Sequence, residues 1–181
     1  MLEPGRHKLV SFARRTQGLI VAPGNPKQIT MLADLCRHGI RFANRARGTG
    51  TRVVFDELLA AQNIDPLYIA GYDRTEPSHR SAAEAVASGS ADAALGIEAA
   101  ACARGMGFVP LVQEQYFLVT LQQTLVQPQV QTLLGLLHDA QWRDQLNALP
   151  GYEARDCGEV LSLRRVLPWW TFRKPKRSAA R

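Results

Sequence analysis

The sequence predicts an α/β fold, a mostly parallel sheet with flanking helices, on grounds that begin with simple patterning. Short apolar runs alternate with amphipathic stretches at helical spacing. Clusters of Gly, Pro and Asn separate them, as turns between strands and helices require. A chain of 181 residues that is 46% hydrophobic and 21% charged can build one core or two small lobes.

Gly18-Leu-Ile-Val-Ala-Pro23 is an apolar run closed by Pro-Gly-Asn-Pro, which predicts a buried strand entering a tight turn. Ile29, Leu32 and Leu35 recur at a spacing of three, predicting a short helix with Thr30 as its cap and Gly39 as its stop. Ile40 to Ala43 reads as a second strand, and Asn44 to Gly50 as a polar, glycine-rich turn. A helix follows, with Val54, Leu58 and Ala61 on one face and Phe55 and Leu59 beside them. Tyr68 to Tyr72 reads as a short strand. A helix is expected from about Glu76, with Pro77 in its first turn, to Gly89. Asp92 to Ile97 predicts a strand and Glu98 to Arg104 an alanine-rich helix. Phe108 to Leu111 and Tyr116 to Leu121 read as two further strands. Val130, Leu133, Leu134 and Leu137 mark one face of the longest helix, Pro128 to Leu149, ended by Pro150-Gly151.

Composition narrows the function classes. The apolar runs fall far short of the roughly 20 residues that cross a bilayer, so no membrane span is expected. The N-terminal MLEPGRHKLV carries a Pro and charges where an export signal would be apolar, and three widely spaced cysteines suit reduced thiols. Both favour a cytoplasmic location. His7, His38, His79 and His138 have no metal-ligand spacing, and neither a metal nor a cofactor is expected. The net charge of +6 is local: residues 164–181 hold seven basic and no acidic side chains, leaving 15 basic against 16 acidic elsewhere. Nucleic-acid binding would therefore rest on that tail alone, expected to be disordered from Arg173 onward.

The chemistry concentrates in Asn44-Arg-Ala-Arg-Gly-Thr-Gly-Thr-Arg52, which joins a predicted strand to a predicted helix, where α/β sheets place their ligands. Gly48 and Gly50 let the main chain approach a ligand, and the first helical N–H groups lack internal acceptors. Thr49 and Thr51 add hydroxyls. Arg45, Arg47 and Arg52 add charge and planar donor arrays suited to an oxyanion. Arg47→Ala is expected to weaken such binding. Neither GxGxxG nor GxxxxGK[ST] is present, against dinucleotides and nucleoside triphosphates. The plain alternative is a glycine-rich loop whose arginines pair with surface carboxylates. Ser78 and His79 open a second loop-to-helix junction and Gly96-Ile97-Glu98 a third, whose amides could complete a ring of donors. Cap roles explain Ser78 and Glu98 equally well. Cys36, Cys102 and Cys157 read as small hydrophobes without a neighbouring His, so no nucleophile is visible and the chain is not expected to be an enzyme.

Taken together, Gln17 through Pro26, Arg41 through Arg52, Asp56-Glu-Leu-Leu59, Gly71-Tyr72, His79, Ala85-Val-Ala-Ser-Gly89, Ala91-Asp92 and Leu95-Gly-Ile-Glu-Ala-Ala100 resemble the PBP-like domain family. These are relatives of the type II periplasmic substrate-binding proteins, often fused to helix-turn-helix regulators or molybdopterin-biosynthesis domains. The resemblance covers about residues 9–160. It implies a small-ligand binding or sensory domain of a transcriptional regulator, with phosphate, molybdate or tungstate held at the Gly48 to Thr51 turn. It implies two lobes: residues 1–17 beginning a partial lobe 1, 18–111 forming lobe 2 with its hinge strands, 112–163 returning to lobe 1, and 164–181 forming the tail. Hinge crossings are implied near Leu19 to Ala22 and between Phe108 and Tyr116. The family's usual strand, helix and strand ahead of the position of Leu9 are missing. That departure implies a fragment of a longer regulator, a homodimer or partner chain completing lobe 1, or an interaction or regulatory remnant without a working ligand site.

Overall fold

The computed structural model describes residues 2–171, and the chain divides into two compact units. Unit 1 comprises residues 1–14, 115–148 and 153–181, and unit 2 comprises 15–114 and 149–152. The chain thus first passes between units at Arg14 and Arg15, ahead of the crossing expected at Leu19 to Ala22. The expected disorder from Arg173 onward lies outside the described residues.

Unit 2 is built on a mixed sheet, so the expectation of a largely parallel one needs correction. β1 (His7–Val21) lies beside β4 (Ala93–Ile97) in antiparallel register, with Gln17 opposite Ile97 and Val21 opposite Ala93. β2 (Phe42–Arg45) runs parallel to β4 and to the short β3 (Thr75–Glu76). With β5 (Gly107–Leu121) the strand order is β3-β2-β4-β1-β5. Side chains alternate across a strand, and the alternation here buries both faces. Leu19, Val21, Phe42 and Leu95 join Phe55 and Leu59 of α1 (Gly50–Ala61) on one side. Ile20, Ala43 and Ala94 meet Ala82, Ala83 and Val86 of α2 (His79–Ala87) on the other. The small side chains on that second face let the helix lie close to the sheet. α3 (Glu98–Cys102) follows β4 directly, and Cys102 at its end is exposed instead of buried.

Several elements differ from expectation for local reasons. β1 extends eleven residues upstream of the apolar run because Lys8, Arg14 and Arg15 interrupt its alternation without ending its pairing. The second strand is shifted from Ile40–Ala43 to Phe42–Arg45, since Arg41 is tied to Asp92 through both its amide (2.8 Å) and its guanidinium (3.0 Å) at the strand entrance. The spacing of three in Ile29, Leu32 and Leu35 belongs to a 3-10 helix, Leu32–Cys36. Asp34, not Thr30, caps it, accepting from the Thr30 and Met31 amides at 2.7 and 3.0 Å. Tyr68 to Tyr72 is no strand. Asp65 caps a single 3-10 turn, Pro66–Tyr68, and Gly71 takes a φ of +95° where its Cα packs against the Phe42 carbonyl. α2 starts at His79 because Thr75 and Glu76 are spent pairing with Asn44 and Arg45, leaving Pro77 outside the helix. The two expected strands after Phe108 are one, β5. Its polar interruption at Glu114 is satisfied by an ion pair with Arg15.

In unit 1, β6 (Val160–Ser162) pairs with the first part of β1, and Leu9, Leu161 and Leu163 form a small core with Phe117. The long helix expected from Pro128 to Leu149 is two, α4 (Pro128–His138) and α5 (Ala140–Asn147). Asp139 stands between them in extended conformation and accepts from the Trp142 amide at 2.9 Å, so an N-cap breaks the periodicity. Of the apolar face expected on this segment, only Leu137 is fully buried in α4, while Leu133 is exposed. Among the described residues no helix is long and apolar enough to cross a membrane.

Candidate functional site

The candidate site lies at the carboxyl edge of β2 and β4 in unit 2, and the shift of β2 by two residues creates it. Arg45, expected in a loop, is the last residue of the strand and only 6% exposed. Its Nε donates to the Glu76 carbonyl (3.1 Å) and its Nη2 to the Pro77 carbonyl (3.0 Å). These two bonds fix the guanidinium. Nη1 is buried and meets no partner among the described residues. A buried donor on a charged group left unpaired is costly, so such groups ordinarily have partners.

His79, the first residue of α2, has its Nδ1 buried and likewise unpartnered. Burial, then the charges of Arg45 and Arg15, push its imidazole down to about 4. It is therefore neutral at pH 7 and offers one donor and one acceptor. Gly96 lies beside it. A Cβ there would collide with Ile20 and reach within 3.8 Å of His79 Nδ1. Because the folded protein resists charging His79 while an unfolded chain does not, its contribution to stability is complete above pH 6.5 and is lost as pH falls from there through about 4. Thermal melts from pH 7 to 4.5 should show wild type losing more Tm than His79→Gln. Equal losses would mean that this imidazole titrates normally.

The Gly-Thr turn divides into working and occupied parts. Gly48 adopts a φ of +85°, and Thr49 caps α1, its hydroxyl accepting from the Arg52 amide (3.3 Å) and donating to the Ala46 carbonyl (2.8 Å). That hydroxyl is thereby committed to the chain itself. Gly50 and Thr51 open the helix, with no helical acceptor for their amides, and Thr51 is buried. Arg52 is 4% exposed and grips Asp56 through Nε at 2.8 and 3.1 Å. It also lies 4.1 Å over the Tyr72 ring, whose hydroxyl donates to the same carboxylate (2.8 Å). This closed triad ties α1 down. Arg47 points outward, 79% exposed, and pairs with Asp73 at 2.9 Å, a contact that contributes little. The expected donors Arg47 and Arg52 thus have carboxylate partners, while Arg45 has a spare nitrogen. Ser78 is the cap of α2, accepting from the Ser81 amide (2.9 Å).

One functional candidate is not apparent from the sequence. Gln17 sits on β1 opposite Ile97, the last residue of β4, is 1% exposed, and has both amide atoms buried without a partner. Its only signal is a polar side chain beginning an otherwise apolar run. A depression of about 510 Å³ in unit 1, lined by Arg143, Asp144 and Asn147, is a poorer candidate. Its polar groups are in use, Asn147 accepting from the Ala154 amide at 2.7 Å. Among the described residues no group of His, Cys, Asp and Glu could hold a metal ion.

Comparison with known proteins agrees with this placement at the level of fold. The sequence profile of a PBP superfamily domain matches residues 1–138. The Bacillus subtilis protein YvgK is 36% identical over 153 residues, covering 84% of this chain and 49% of its own length, so the chain spans about half of that relative. L-Phospholactate-bound PEB3, from Campylobacter jejuni, superposes with a TM-score of 0.61 at 16% identity over 80% of this chain and 68% of PEB3. A substrate-binding domain assigned to a molybdenum ABC transporter of Clostridium difficile gives 0.61 at 14% identity, over 80% and 66%. The cytoplasmic location expected from the N-terminal sequence is overturned by this company. The structures this chain resembles include that transporter substrate-binding domain and a histidine kinase sensor domain with similarity to periplasmic binding proteins, the latter matched at 0.53 with 15% identity over 80% and 62%.

Proposed function

The chain belongs to the PBP superfamily domain family, small-molecule binding and sensor domains that are generally non-catalytic, and from that premise we propose that it binds a small anion at the carboxyl edge of β2 and β4. The observation that carries this reading is the buried Nη1 of Arg45, a cationic donor held in place by two carbonyls and left without an acceptor among the described residues. The amides of Gly50 and Thr51 add the positive end of α1, a ready anion site in its own right. Neutral His79 contributes hydrogen bonding without charge. Anionic ligands figure in the names of two structural neighbours, as L-phospholactate and as the cargo of a molybdenum transporter. Phosphate, molybdate and tungstate are the tetrahedral candidates for this chain.

The reading is tested by thermal melts and calorimetry with phosphate, sulfate, molybdate, tungstate and L-phospholactate. A competent site saturates. At 100 times its Kd a ligand should stabilise the fold by about 2.7 kcal/mol, raising Tm by roughly 5–10 °C for a chain of this size. No shift and no heat from any of the five would leave only an interaction or regulatory domain without a working ligand site.

A further inference from the structure

Resting on that reading and narrowing it, we infer that the ligand carries its own hydrogen-bond donor, an O–H beside its negative charge, and is not a fully deprotonated tetrahedral oxyanion. Gln17 is the reason. A side-chain amide presents one acceptor and one donor group whichever way it is turned, and here both are buried without a protein partner. The residue lies at the ligand edge of the sheet. It pairs with Ile97 at the end of β4, and its neighbour Gly18 is packed so closely on β5 that a Cβ would overlap the Val109 carbonyl. Alternation turns Gln17 to the same face as Leu19 and α1, while Arg45 and Gly96 follow Ala43 and Ala94 to the face of α2. A ligand capping the end of the sheet meets both faces.

The orphaned groups can then be matched one by one. Arg45 Nη1 and Gln17 Nε2 donate, and anionic oxygens answer them. Gln17 Oε1 only accepts. Molybdate, tungstate and sulfate at neutral pH have nothing to donate and would leave it unsatisfied. A hydrogen phosphate or a hydroxy acid answers donors and acceptor together. His79 is compatible with either kind of ligand, since its buried, unpartnered Nδ1 donates or accepts according to the tautomer, so the discrimination rests on Gln17 Oε1.

Two pairs differing chiefly in that donor decide the matter, titrated calorimetrically into the full chain at pH 7: phosphate against sulfate, and L-lactate against propionate. The expected result is that the donor-bearing member of a pair binds about tenfold or more tightly, because a site built around a ligand hydroxyl is left with unpaired polar groups when it is missing. Gln17→Met, close in volume, should bring that ratio to within about threefold while the variant melts cooperatively. Sulfate or propionate binding as tightly as its partner to the wild type overturns this inference and leaves the anion site standing. No binding by any of the four overturns this inference, and overturns the anion site as well when molybdate, tungstate and L-phospholactate also fail to bind. Should the variant fail to fold, the wild-type ratios alone decide between these outcomes.

Discussion

Arg45→Ala is expected to weaken anion binding at least tenfold, and up to about a hundredfold, whereas Arg47→Ala should change it less than twofold. Hydrogen bonds to charged groups contribute about 1.5–3 kcal/mol each, and 1.4 kcal/mol is a factor of ten. In the proposed site Arg45 would supply such a bond from a position 6% exposed, where solvent screens little. Arg47, 79% exposed and paired with Asp73, is screened by water and already partnered. Arg45 also anchors the Glu76 and Pro77 carbonyls, so its removal will cost some stability. Arg45→Lys separates the two effects, keeping the charge while losing the planar fork that bridges both carbonyls. Calorimetry with the ligand that stabilises the wild type best measures all three variants. Equal losses in Arg45→Ala and Arg47→Ala would move the site out to the surface of the turn.

Phe55→Ala should destabilise the fold by about 3–5 kcal/mol, the usual cost of truncating a buried aromatic ring. Phe55 is fully buried, stacks on Phe42 with ring centroids 5.1 Å apart, and lies 6.4 Å from Tyr72. This stack attaches α1 to β2. The helix that opens with Gly50 and Thr51, part of the proposed site, is thereby fastened to the strand that ends in Arg45. Denaturant titration of the two proteins measures the effect, and a midpoint unchanged at constant m would show that the ring carries no core packing. Tm should fall by roughly 6–20 °C. Anion affinity should fall with it if the stack also aligns the helix start.

Much of the scaffold is legible in local patterning. The continuous apolar run Leu19-Ile20-Val21 specifies a strand buried on both faces, and helical spacing specifies the helix after the glycines, although its buried face is that of Phe55 and Leu59 while Ala61 is exposed. Element boundaries are less legible where polar contacts override hydrophobicity. Asp139 divides a helix by capping its second half, and the Arg15–Glu114 ion pair lets a strand continue through charged residues. The site is legible as a region but not as a set of donors. The Gly-Thr turn advertises a helix start, while the three arginines around it look alike in sequence.

What the sequence determined by itself is the alternation of strands and helices and the presence of a glycine-rich turn between β2 and α1, because periodicity and backbone freedom are properties of adjacent residues. What only the tertiary structure decided is which polar groups remain unspent. Arg52 is claimed by Asp56 and Tyr72, Arg47 by Asp73, and Thr49 by its own turn, while Arg45, His79 and Gln17 each keep a buried atom without a partner. Hydrogen-bond satisfaction depends on partners such as Tyr72, Asp73 and Glu76, which are distant in the chain from the arginines they hold. Spacing along the chain carries no record of it.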